Sequence, residues 1–305
     1  MYDTLIVGSG PAGMTAALYA ARSNLKVAIV EQGAPGGQMN NTSEIENYPG
    51  YDQITGPELS MKMFEPLAKF QVEHLYGIVQ TVRDQGSYKE VVTEDNIYQA
   101  KTLIIATGSK YKVLGAKGEE EYTSRGVSYC AVCDGAFFRN QDLLVVGGGD
   151  SAVEEAVYLT QFAKSVTVVH RRDQLRAQAI LQERAFANDK ISFIWDSVVD
   201  DIQGNATRVT NVTLKNVKTG QISNHPFGGV FIYVGLLPVT AMVADLGITN
   251  EEGWIETDDH MRTTVPGIFA VGDVRQKDLR QITTAVGDGA IAGQGVYHYL
   301  QQLND

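Results

Sequence analysis

Two cysteines stand close together in the middle of the chain, and a carboxylate follows them directly. They are Cys130 and Cys133, within VSYCAVCDGAFF at residues 127–138, and Asp134 comes next. A Cys-x-x-Cys turn can lower the pKa of one thiol well below the free value of about 8.5. Disulfide exchange also needs an acid and a base, a role that Asp134 can fill. The spacing therefore favours a reversible disulfide with the catalytic residues Cys130, Cys133 and Asp134.

The residues of this motif also allow a structural or an incidental role. A structural zinc site needs four ligands, usually from a second cysteine pair or from closely spaced histidines. The chain has two cysteines, and its histidines are scattered, so we expect no metal site. The cysteines could also be incidental buried thiols, and Asp134 with Gly135 could form a common Asp-Gly turn.

The N-terminal residues carry a dinucleotide-binding pattern. LIVGSGPAGMTAALYAARS has an apolar strand-like run, then Gly8, Gly10 and Gly13, then an alanine-rich segment of helical composition. The first glycine permits a tight turn, the second lets the backbone approach a pyrophosphate, and the third lets the helix pack on the strand. The start of such a helix offers free N–H groups to phosphates. A single match of this kind also occurs in loops for purely conformational reasons.

The same pattern recurs in mid-chain, and two matches in strand–turn–helix context predict two dinucleotide units. LLVVGGGDSAVEEAVYLTQF begins at Leu143 and has Gly147, Gly149 and Ala152 in the corresponding places. KVAIVEQ and SVTVVHRR are predicted as the second strands of the two units. TLIIATG, GGVFIYVG and GIFAVGDV are predicted as further buried strands, and short antiparallel strands are expected between residues 71 and 100.

The second strands of the two units end in opposite charges. In the first unit Glu31 can accept hydrogen bonds from ribose hydroxyls and repel a 2′-phosphate, which suits FAD or NAD. In the second unit the strand runs into His170, Arg171 and Arg172, with Arg176 one turn further. Arginine binds phosphate oxygens in bidentate geometry, so this cluster predicts NADP(H). The alternative is a solvated basic surface at a strand end.

Length and composition set the broad class. A chain of 305 residues exceeds what one hydrophobic core usually supports, so we expect two domains. A formal net charge of −11 argues against a nucleic-acid partner. We find neither an apolar run long enough to cross a membrane nor a signal sequence, and the few cysteines suit a reducing compartment. A cytoplasmic protein without a membrane or nucleic-acid partner is predicted.

These patterns predict an α/β fold of two Rossmann-like dinucleotide-binding domains, the second inserted into the first. Two breaks in the pattern, at residues 111–122 and 243–253, are candidate linkers. The first domain is predicted to comprise residues 1–114 and 246–305. The inserted domain, at 115–245, carries the cysteine pair.

The motifs closely resemble those of the low-molecular-weight bacterial thioredoxin reductases over essentially the whole chain. The following segments occur in the order typical of that family: GSGPAG, GGQ, ENYPG, ATG, GVSYCAVCDG, GGGDSAVEEA, HRRDQLRA, GIFAVGDV and RQITTAVGDG. The resemblance implies a homodimeric flavoprotein that uses NADPH, FAD and a cysteine pair to reduce the disulfide of thioredoxin. It also implies that Cys133 faces the flavin, that Cys130 attacks the protein substrate, and that the inserted domain rotates between two states.

The resemblance also implies which residues bind the two cofactors, with Asp273 at the ribitol side of the flavin and Gln281 near its ring. For FAD the residues are Gly8, Gly10, Pro11, Ala12, Gly13, Glu31, Gln32, Gly37, Gln38, Asn47, Ala106, Thr107, Gly108, Gly272, Asp273, Arg280, Gln281 and Ile282. For NADPH they are Gly147, Gly149, Asp150, Ser151, Ala152, His170, Arg171, Arg172 and Arg176.

Other functions stay open at the level of sequence. A flavoprotein of the same fold could reduce a low-molecular-weight disulfide or another redoxin. A ferredoxin-dependent relative would not need the cysteine pair, and neither would an idle NADPH sensor. Between its cysteines the family usually has threonine or another small residue, whereas this chain has Ala131 and Val132. We expect that difference to alter the disulfide potential more than the mechanism.

Overall fold

The chain folds into two compact units in a computed structural model that describes residues 1–42, 45–123 and 125–304, without the side chains of Val132, Cys133 and Asn304. The first unit consists of Met1–Lys110 and Leu237–Asp305, and the second of Tyr111–Leu236. The second unit is therefore inserted into the first, as the sequence predicts.

The second boundary differs from the predicted one. It lies between residues 236 and 237, nine residues before the predicted 245/246. The reason is a short 3₁₀ helix, Ala241–Leu246, which the sequence analysis divided between the domains. Its Val243 is fully buried in a core cluster with Leu5 and Leu103 of the first unit. This long-range apolar contact holds the segment in the first unit.

The elements are numbered in chain order. The strands are β1 (Tyr2–Val7), β2 (Val27–Glu31), β3 (Glu73–Tyr76), β4 (Val79–Asp84), β5 (Lys89–Thr93), β6 (Ile97–Ile105), β7 (Ser109–Tyr111), β8 (Val127–Ser128), β9 (Asp142–Gly147), β10 (Ser165–Val169), β11 (Ile191–Ile194), β12 (Ser197–Gly204), β13 (Val209–Asn216), β14 (Ile222–His225), β15 (Gly229–Tyr233), β16 (Leu236–Pro238) and β17 (Ile268–Ala270). The α-helices are α1 (Pro11–Arg22), α2 (Gly56–Lys69), α3 (Glu119–Tyr122), α4 (Ala131–Asp134), α5 (Asp150–Leu159), α6 (Ala179–Phe186) and α7 (Ile282–Asn304).

The first unit is built on a seven-stranded sheet in the order β3-β2-β1-β6-β5-β4, with β17 also paired to β6. Strands β3, β2, β1, β6 and β17 run parallel, whereas β5 and β4 continue the sheet in antiparallel fashion. The expected antiparallel strands between residues 71 and 100 therefore extend the main sheet.

Alternate residues of the central strands of this sheet enter different cores. Ile6 and Ile104 belong to the cluster that includes α1 and α7, whereas Leu5 and Leu103 belong to the cluster on the other face. Successive side chains of a strand point to opposite faces, so a sheet covered on both sides reads as a continuous apolar run. This explains the runs LIV and TLII in the sequence.

The second unit has a five-stranded sheet in the order β11-β10-β9-β15-β8, and all of its pairings are parallel. Leu143 and Val145 of β9 pack in the cluster that includes α5, whereas Leu144 and Val146 pack in a cluster with residues of β12 and β13. The antiparallel sheet β12-β13-β14 thus covers the face opposite α5.

Parallel strands bring the candidate site residues of each unit to one edge of its sheet. In the first unit the glycine-rich turn, Glu31, Ala106 and Gly272 stand at or after the carboxyl ends of β1, β2, β6 and β17. In the second unit the glycine-rich turn, His170 and the cysteine segment follow β9, β10 and β8. Ligands of open α/β sheets bind at this edge.

Candidate active site

The glycine-rich turn of the first unit is shaped by close backbone contacts and leaves open space at the start of α1. Gly8 has φ +103°, and a Cβ there would overlap the backbone oxygen of Ala106. A Cβ on Gly13 would overlap the oxygen of Gly8, whereas one on Gly10 would meet no described heavy atom within 4 Å. Gly10 provides no side-chain cap to α1, which begins at Pro11. Free N–H groups facing open space can bind a pyrophosphate.

Glu31 is held at the end of β2 by four hydrogen bonds. Ser9 donates from its backbone N–H at 2.8 Å and from its hydroxyl at 3.0 Å, while the backbone N–H groups of Gln32 and Gly33 donate at 2.7 and 3.1 Å. The donors fix a carboxylate beside the glycine-rich turn, where it would repel a 2′-phosphate. Ser9 was not predicted, although it lies inside the fingerprint.

Asp273 has a buried oxygen that suits a ligand. Its Oδ1 is buried and has no hydrogen-bond partner within the described part of the chain. Burial raises the pKa of this carboxyl, although Lys277 and Arg280 favour its charged form. Buried polar atoms normally have partners, so an orphaned carboxylate oxygen is what a hydroxyl-bearing ligand such as FAD would satisfy.

Asp288 supports the segment that carries Asp273, and sequence reasoning missed it. Its buried carboxylate binds Arg275 at 2.9 Å, Lys277 at 3.0 Å and the backbone N–H of Gly272 at 2.9 Å. The sequence signal that could have pointed to Asp288 is its position as an acidic residue within the apolar helix pattern of RQITTAVGDGAIAG. The neighbouring Arg280 lies over the ring of Trp254 at 3.7 Å and donates to the backbone oxygen of Asp273 at 3.3 Å.

The other predicted flavin residues lie in five segments of the same unit. Asn47 donates to Gln281 at 3.3 Å, and Gln38 donates to the backbone oxygen of Ser109 at 2.8 Å. The hydroxyl of Thr107 donates to the backbone oxygen of Val239 at 2.6 Å, so its proton is used in a bond within the protein. The remaining members are Ala12, which lies against Gly272; Gly37, which lies against Gly10; Gly108, which has φ +66°; and Ile282, which begins α7.

The turn of the second unit repeats the geometry of the first. Gly147 has φ +149°, and a Cβ there would overlap the backbone oxygen of Tyr233. A Cβ on Gly149 would meet no described heavy atom within 4 Å, and α5 begins at Asp150 without a side-chain cap from Gly149. Ala152 is buried and Ser151 is exposed. Asp150 accepts from the backbone and side-chain amides of Gln178 at 2.8 and 2.7 Å.

The basic cluster lies beside this turn. His170 is buried and packs so closely on Gly148 that a Cβ there would lie 2.6 Å from the ring. Burial lowers the pKa of His170, and the charges of Arg176, Arg172 and Arg171 lower it further. The three arginines are exposed, and the backbone N–H of Arg176 donates to Gly148 at 2.6 Å. The backbone of Arg176 is thus joined to the turn that the sequence predicted for NADP(H), and Arg171 and Arg172 directly follow the histidine that packs on it.

The redox segment, residues 128–134, follows β8 and includes the short helix α4. Cys130 is disulfide-bonded. The backbone of Cys133 lies in α4, and its side chain lies outside the described residues. The Ser128 hydroxyl donates to the Asp134 carboxylate at 2.7 Å and accepts from the backbone N–H of Cys130 at 3.1 Å. Asp134 thus lies within the turn of the cysteine motif, and Ser128 is an unpredicted residue that holds it.

Two anchors from outside the motif also hold the redox segment. The Tyr129 hydroxyl donates to Glu119 at 2.5 Å, and this carboxylate also accepts from the backbone N–H of Leu114 at 2.7 Å. Burial and Glu119 raise the pKa of Tyr129. The Tyr233 hydroxyl accepts from the backbone N–H of Ala131 at 3.0 Å.

Among the described residues, we find no group of three or more histidine, cysteine, aspartate or glutamate side chains placed to hold a metal ion. No described helix is both long and apolar enough to span a bilayer.

The class of protein follows from the paired dinucleotide turns and the cysteine segment. A family model described as pyridine nucleotide-disulphide oxidoreductase matches residues 2–289, and the chain belongs to this family.

The individual relatives are thioredoxin reductases. One from Bacillus subtilis is 56% identical over 305 residues, which cover 100% of this chain and 96% of that protein. The crystal structure of Lactococcus lactis thioredoxin reductase, in the FR conformation, has a TM-score of 0.98 at 64% identity, covering 99% of this chain and 100% of that one. The thioredoxin reductase structure from Streptococcus pyogenes has a TM-score of 0.68 at 79% identity, covering 99% of each chain. These matches confirm the resemblance seen in the sequence and the two-domain α/β fold.

Proposed function

We propose that this chain is an NADPH-dependent thioredoxin reductase that uses FAD and the Cys130–Cys133 pair. The observation that carries the proposal is the division of groups between the two units. The first unit has a dinucleotide turn with an acidic second-strand end, and the second has a turn with a basic end together with the cysteine segment. Full-length relatives named thioredoxin reductase support the choice of substrate.

FAD is assigned to the first unit. The N–H groups at the start of α1 would hold its pyrophosphate, Glu31 its ribose, and Asp273 a hydroxyl of its ribitol chain. When bound, FAD supplies two-electron chemistry, accepting a hydride from NADPH and passing the electron pair to the disulfide. Asp288, Arg275 and Lys277 fix the backbone that presents Asp273.

NADPH is assigned to the second unit. The open N-terminus of α5 at Gly149 would hold its pyrophosphate, and Arg171, Arg172 and Arg176 would bind the 2′-phosphate. Charge-assisted bonds from guanidinium groups are stronger than neutral ones, and NADH has no phosphate to receive them. The cluster therefore sets the preference for NADPH.

The reduced cysteines pass their electrons on by two exchange steps. The Cys130 thiolate attacks the partner disulfide, forms a mixed disulfide and releases one partner thiolate. Cys133 then attacks the sulfur of Cys130, closes the Cys130–Cys133 disulfide and releases the second partner thiolate. Two electrons leave the pair, and the partner becomes a dithiol. Asp134, held by Ser128, takes a proton from the attacking thiol and returns it to a departing sulfur.

The second unit must bring its nicotinamide site and its cysteines to the flavin in turn, since both lie in that unit. We infer that the linkers act as a hinge, with Cys133 facing the flavin and Cys130 exposed to thioredoxin after rotation. The TM-scores support more than one arrangement in the family, because the relative with 79% identity superposes less well than the one with 64%.

We further propose a homodimer that acts in the cytoplasm. The resemblance to bacterial thioredoxin reductases supports the dimer, and a reversible cysteine pair suits a reducing compartment. Sedimentation of the flavin-loaded protein should give twice the chain mass of 33.2 kDa. Sedimentation as a monomer at all concentrations would contradict the dimer, and recovery outside the cytoplasmic fraction would contradict the location.

The proposed function is tested by following electrons through the purified protein. We expect a flavin spectrum that NADPH bleaches faster than NADH, and steady NADPH oxidation when thioredoxin is added. Cys133→Ser should retain the bleaching and lose the reduction of thioredoxin. A colourless protein that cannot be reconstituted with FAD, or continued thioredoxin reduction by Cys133→Ser, overturns the proposal.

A further inference from the structure

Tyr233 connects the nucleotide turn of the second unit to its redox segment. The residue ends β15, is 7% exposed, and pairs in register with Gly147 of β9. Its backbone oxygen lies against that glycine, while its hydroxyl accepts from Ala131 at 3.0 Å. None of the sequence motifs singled out Tyr233, and the proposed electron path makes no use of it.

Helix α4 depends on such an external bond. It is one turn long, and the backbone N–H of Asp134 donates to Cys130 at 3.1 Å. Isolated helices of this length are unstable, and their first N–H groups lack intrahelical partners. Ala131 is fully buried, so water cannot replace the tyrosine as acceptor for its N–H. The position of α4, which follows Cys130 and contains Cys133, therefore depends on the tertiary bond from Tyr233.

The ring of Tyr233 is itself well fixed. Strand β15 lies between β9 and β8 in the parallel sheet. Tyr111 contacts the ring edge-on, with the centroids 6.0 Å apart. Burial is the main factor that raises the pKa of Tyr233, and the charge of Glu155 raises it further, so the hydroxyl stays protonated over the working pH range.

We propose that Tyr233 is a positioning residue for disulfide exchange: its hydroxyl fixes the first N–H of α4 and thereby the backbone that carries Cys130 and Cys133. The expected effect on disulfide exchange rests on the proposed function. The expected effect of the hydrogen bond on the position of α4 does not. In this role Tyr233 neither contacts substrate nor transfers a proton. The rate of the cysteine step, and not that of NADPH oxidation by the flavin, is therefore the quantity that Tyr233 controls.

The experiment compares Tyr233→Phe with the matched control Tyr111→Phe in the flavin-loaded, oxidised protein. Each change removes one hydroxyl and keeps the ring, but only the first removes the acceptor of Ala131. Hydrogen exchange read by mass spectrometry should be at least tenfold faster in a peptide covering residues 129–136 of Tyr233→Phe. Exchange in β15 should be unchanged, and Tyr111→Phe should match the wild type in both peptides.

Kinetics separate positioning from general damage. Tyr233→Phe should lower kcat for thioredoxin reduction at least fivefold, leave KM for thioredoxin within twofold, and leave NADPH-driven flavin bleaching unchanged. Equal exchange and equal kcat in Tyr233→Phe and the wild type overturn the proposal, as does an equal effect in Tyr111→Phe. If the wild-type protein does not reduce thioredoxin, the proposed function fails, while the exchange result still decides the bond.

A second variant removes the donor of the bond and not its acceptor, and it replaces the first variant if Tyr233→Phe does not fold. Ala131→Pro removes the N–H itself at the first position of a helix, where proline is well tolerated. Its kcat should also fall at least fivefold. Where the double variant Tyr233→Phe/Ala131→Pro can be prepared, its kcat should equal or exceed the lower kcat of the two single variants, because both changes remove the same bond. Normal kcat in Ala131→Pro, or multiplying losses in the double variant, contradicts the proposal.

Discussion

The two dinucleotide turns of this chain have nearly the same backbone and opposite charges. Gly8 and Gly147 both take positive φ, Gly10 and Gly149 both face open space, and neither α1 nor α5 has a side-chain cap. In the first unit, β2 ends in the hydrogen-bonded carboxylate of Glu31. In the second unit, β10 is followed by the buried His170, which has arginine charges around it. Under the proposed function, the shared turn geometry provides a pyrophosphate site in each unit, while the residue at the next strand end selects the nucleotide.

The units differ also in what supports their functional groups. In the first, Asp273 keeps an unpartnered oxygen while Asp288 binds the surrounding backbone and cations. In the second unit, hydrogen bonds made by Ser128, Tyr129 and Ala131 hold the redox segment. The Asp273 segment thus keeps a buried oxygen without a partner in the described part of the chain, whereas hydrogen bonds within the chain hold the redox segment in position.

The largest effect is expected from Asp288→Ala, which removes the support of the proposed flavin site. Two cations and the N–H of Gly272 would lose a buried partner, and breaking a buried ion pair typically costs about 3–5 kcal/mol. Flavin release in urea, followed by its fluorescence, should occur at a clearly lower concentration. Asp173→Ala is the control, because its pair with Lys218 is exposed to solvent and should contribute little to stability. Equal shifts in the two variants would remove the special role of Asp288.

The nucleotide preference tests the charge difference directly. Arg171→Ala/Arg172→Ala should lower kcat/KM for NADPH about 100-fold, or about 3 kcal/mol, because two charge-assisted bonds to phosphate are lost. The value for NADH should change only a few-fold. Lys164→Ala removes an exposed cation just before the start of β10 and is the control. A parallel loss with both nucleotides would mean that the arginines do not read the 2′-phosphate.

A half-buried acid in the second unit, Glu155, gives a pH test that does not involve the predicted cofactor residues. Burial and the charge of Glu154 raise the pKa of Glu155 from 4.5 to about 8, and Glu155 lies near Tyr111 and Tyr233. A raised carboxyl pKa means that the folded state keeps a proton that the unfolded state loses. Its stability contribution is therefore complete below about pH 4.5 and declines as the pH rises toward 8.

Glu155→Gln should abolish this decline, because the amide stays neutral. The variant and the wild type should unfold at similar temperatures near pH 4.5, and the variant should be more stable by about 1–3 kcal/mol near pH 8. Thermal unfolding without nucleotide, repeated from pH 4.5 to 9, measures the difference. Glu183→Gln on the exposed side of α6 should show no such trend. A gap between Glu155→Gln and wild type that is independent of pH would place the pKa of Glu155 near its ordinary value.

The sequence predicted what local patterns encode. The glycine spacings, the apolar strands and the charges at the ends of β2 and β10 are all set within short segments, and in the structure the glycines and charges lie at the ends of those strands. Tyr233 could not be predicted, because it acts on a group that is brought near only by folding. Asp288 and Ser128 lie inside quoted sequence segments, but the groups that their side chains bind depend on how those segments fold. The bond from Ala131 to Tyr233 spans 102 positions. The second boundary between the units lies earlier than the predicted 245/246 for the same reason, since the burial of Val243 depends on strands far away in sequence.

The smallest effect is expected at a helix that faces no nucleotide. Thr55 caps α2 by accepting from the N–H of Glu58 at 3.3 Å, and Glu58 reaches back to the N–H of Thr55 at 3.2 Å. The N-termini of α1 and α5 lack such caps, which under the proposed function leaves their N–H groups free for phosphates, whereas α2 satisfies its own N–H groups with a capping box. Thr55→Ala should cost about 1 kcal/mol, seen as a fall of about 2 °C in the unfolding temperature, with flavin affinity unchanged.

Thr55→Ser keeps the hydroxyl and separates the cap from the lost methyl group. It should unfold close to the wild type, because serine caps at least as well as threonine. Gly10→Ser would offer α1 the same kind of cap, and there it should weaken FAD binding, since the added side chain competes with the pyrophosphate for the N–H groups. If Gly10→Ser bound FAD normally, the open N-terminus of α1 would not be the phosphate site, and the likeness between the two dinucleotide turns would have no functional meaning in the first unit.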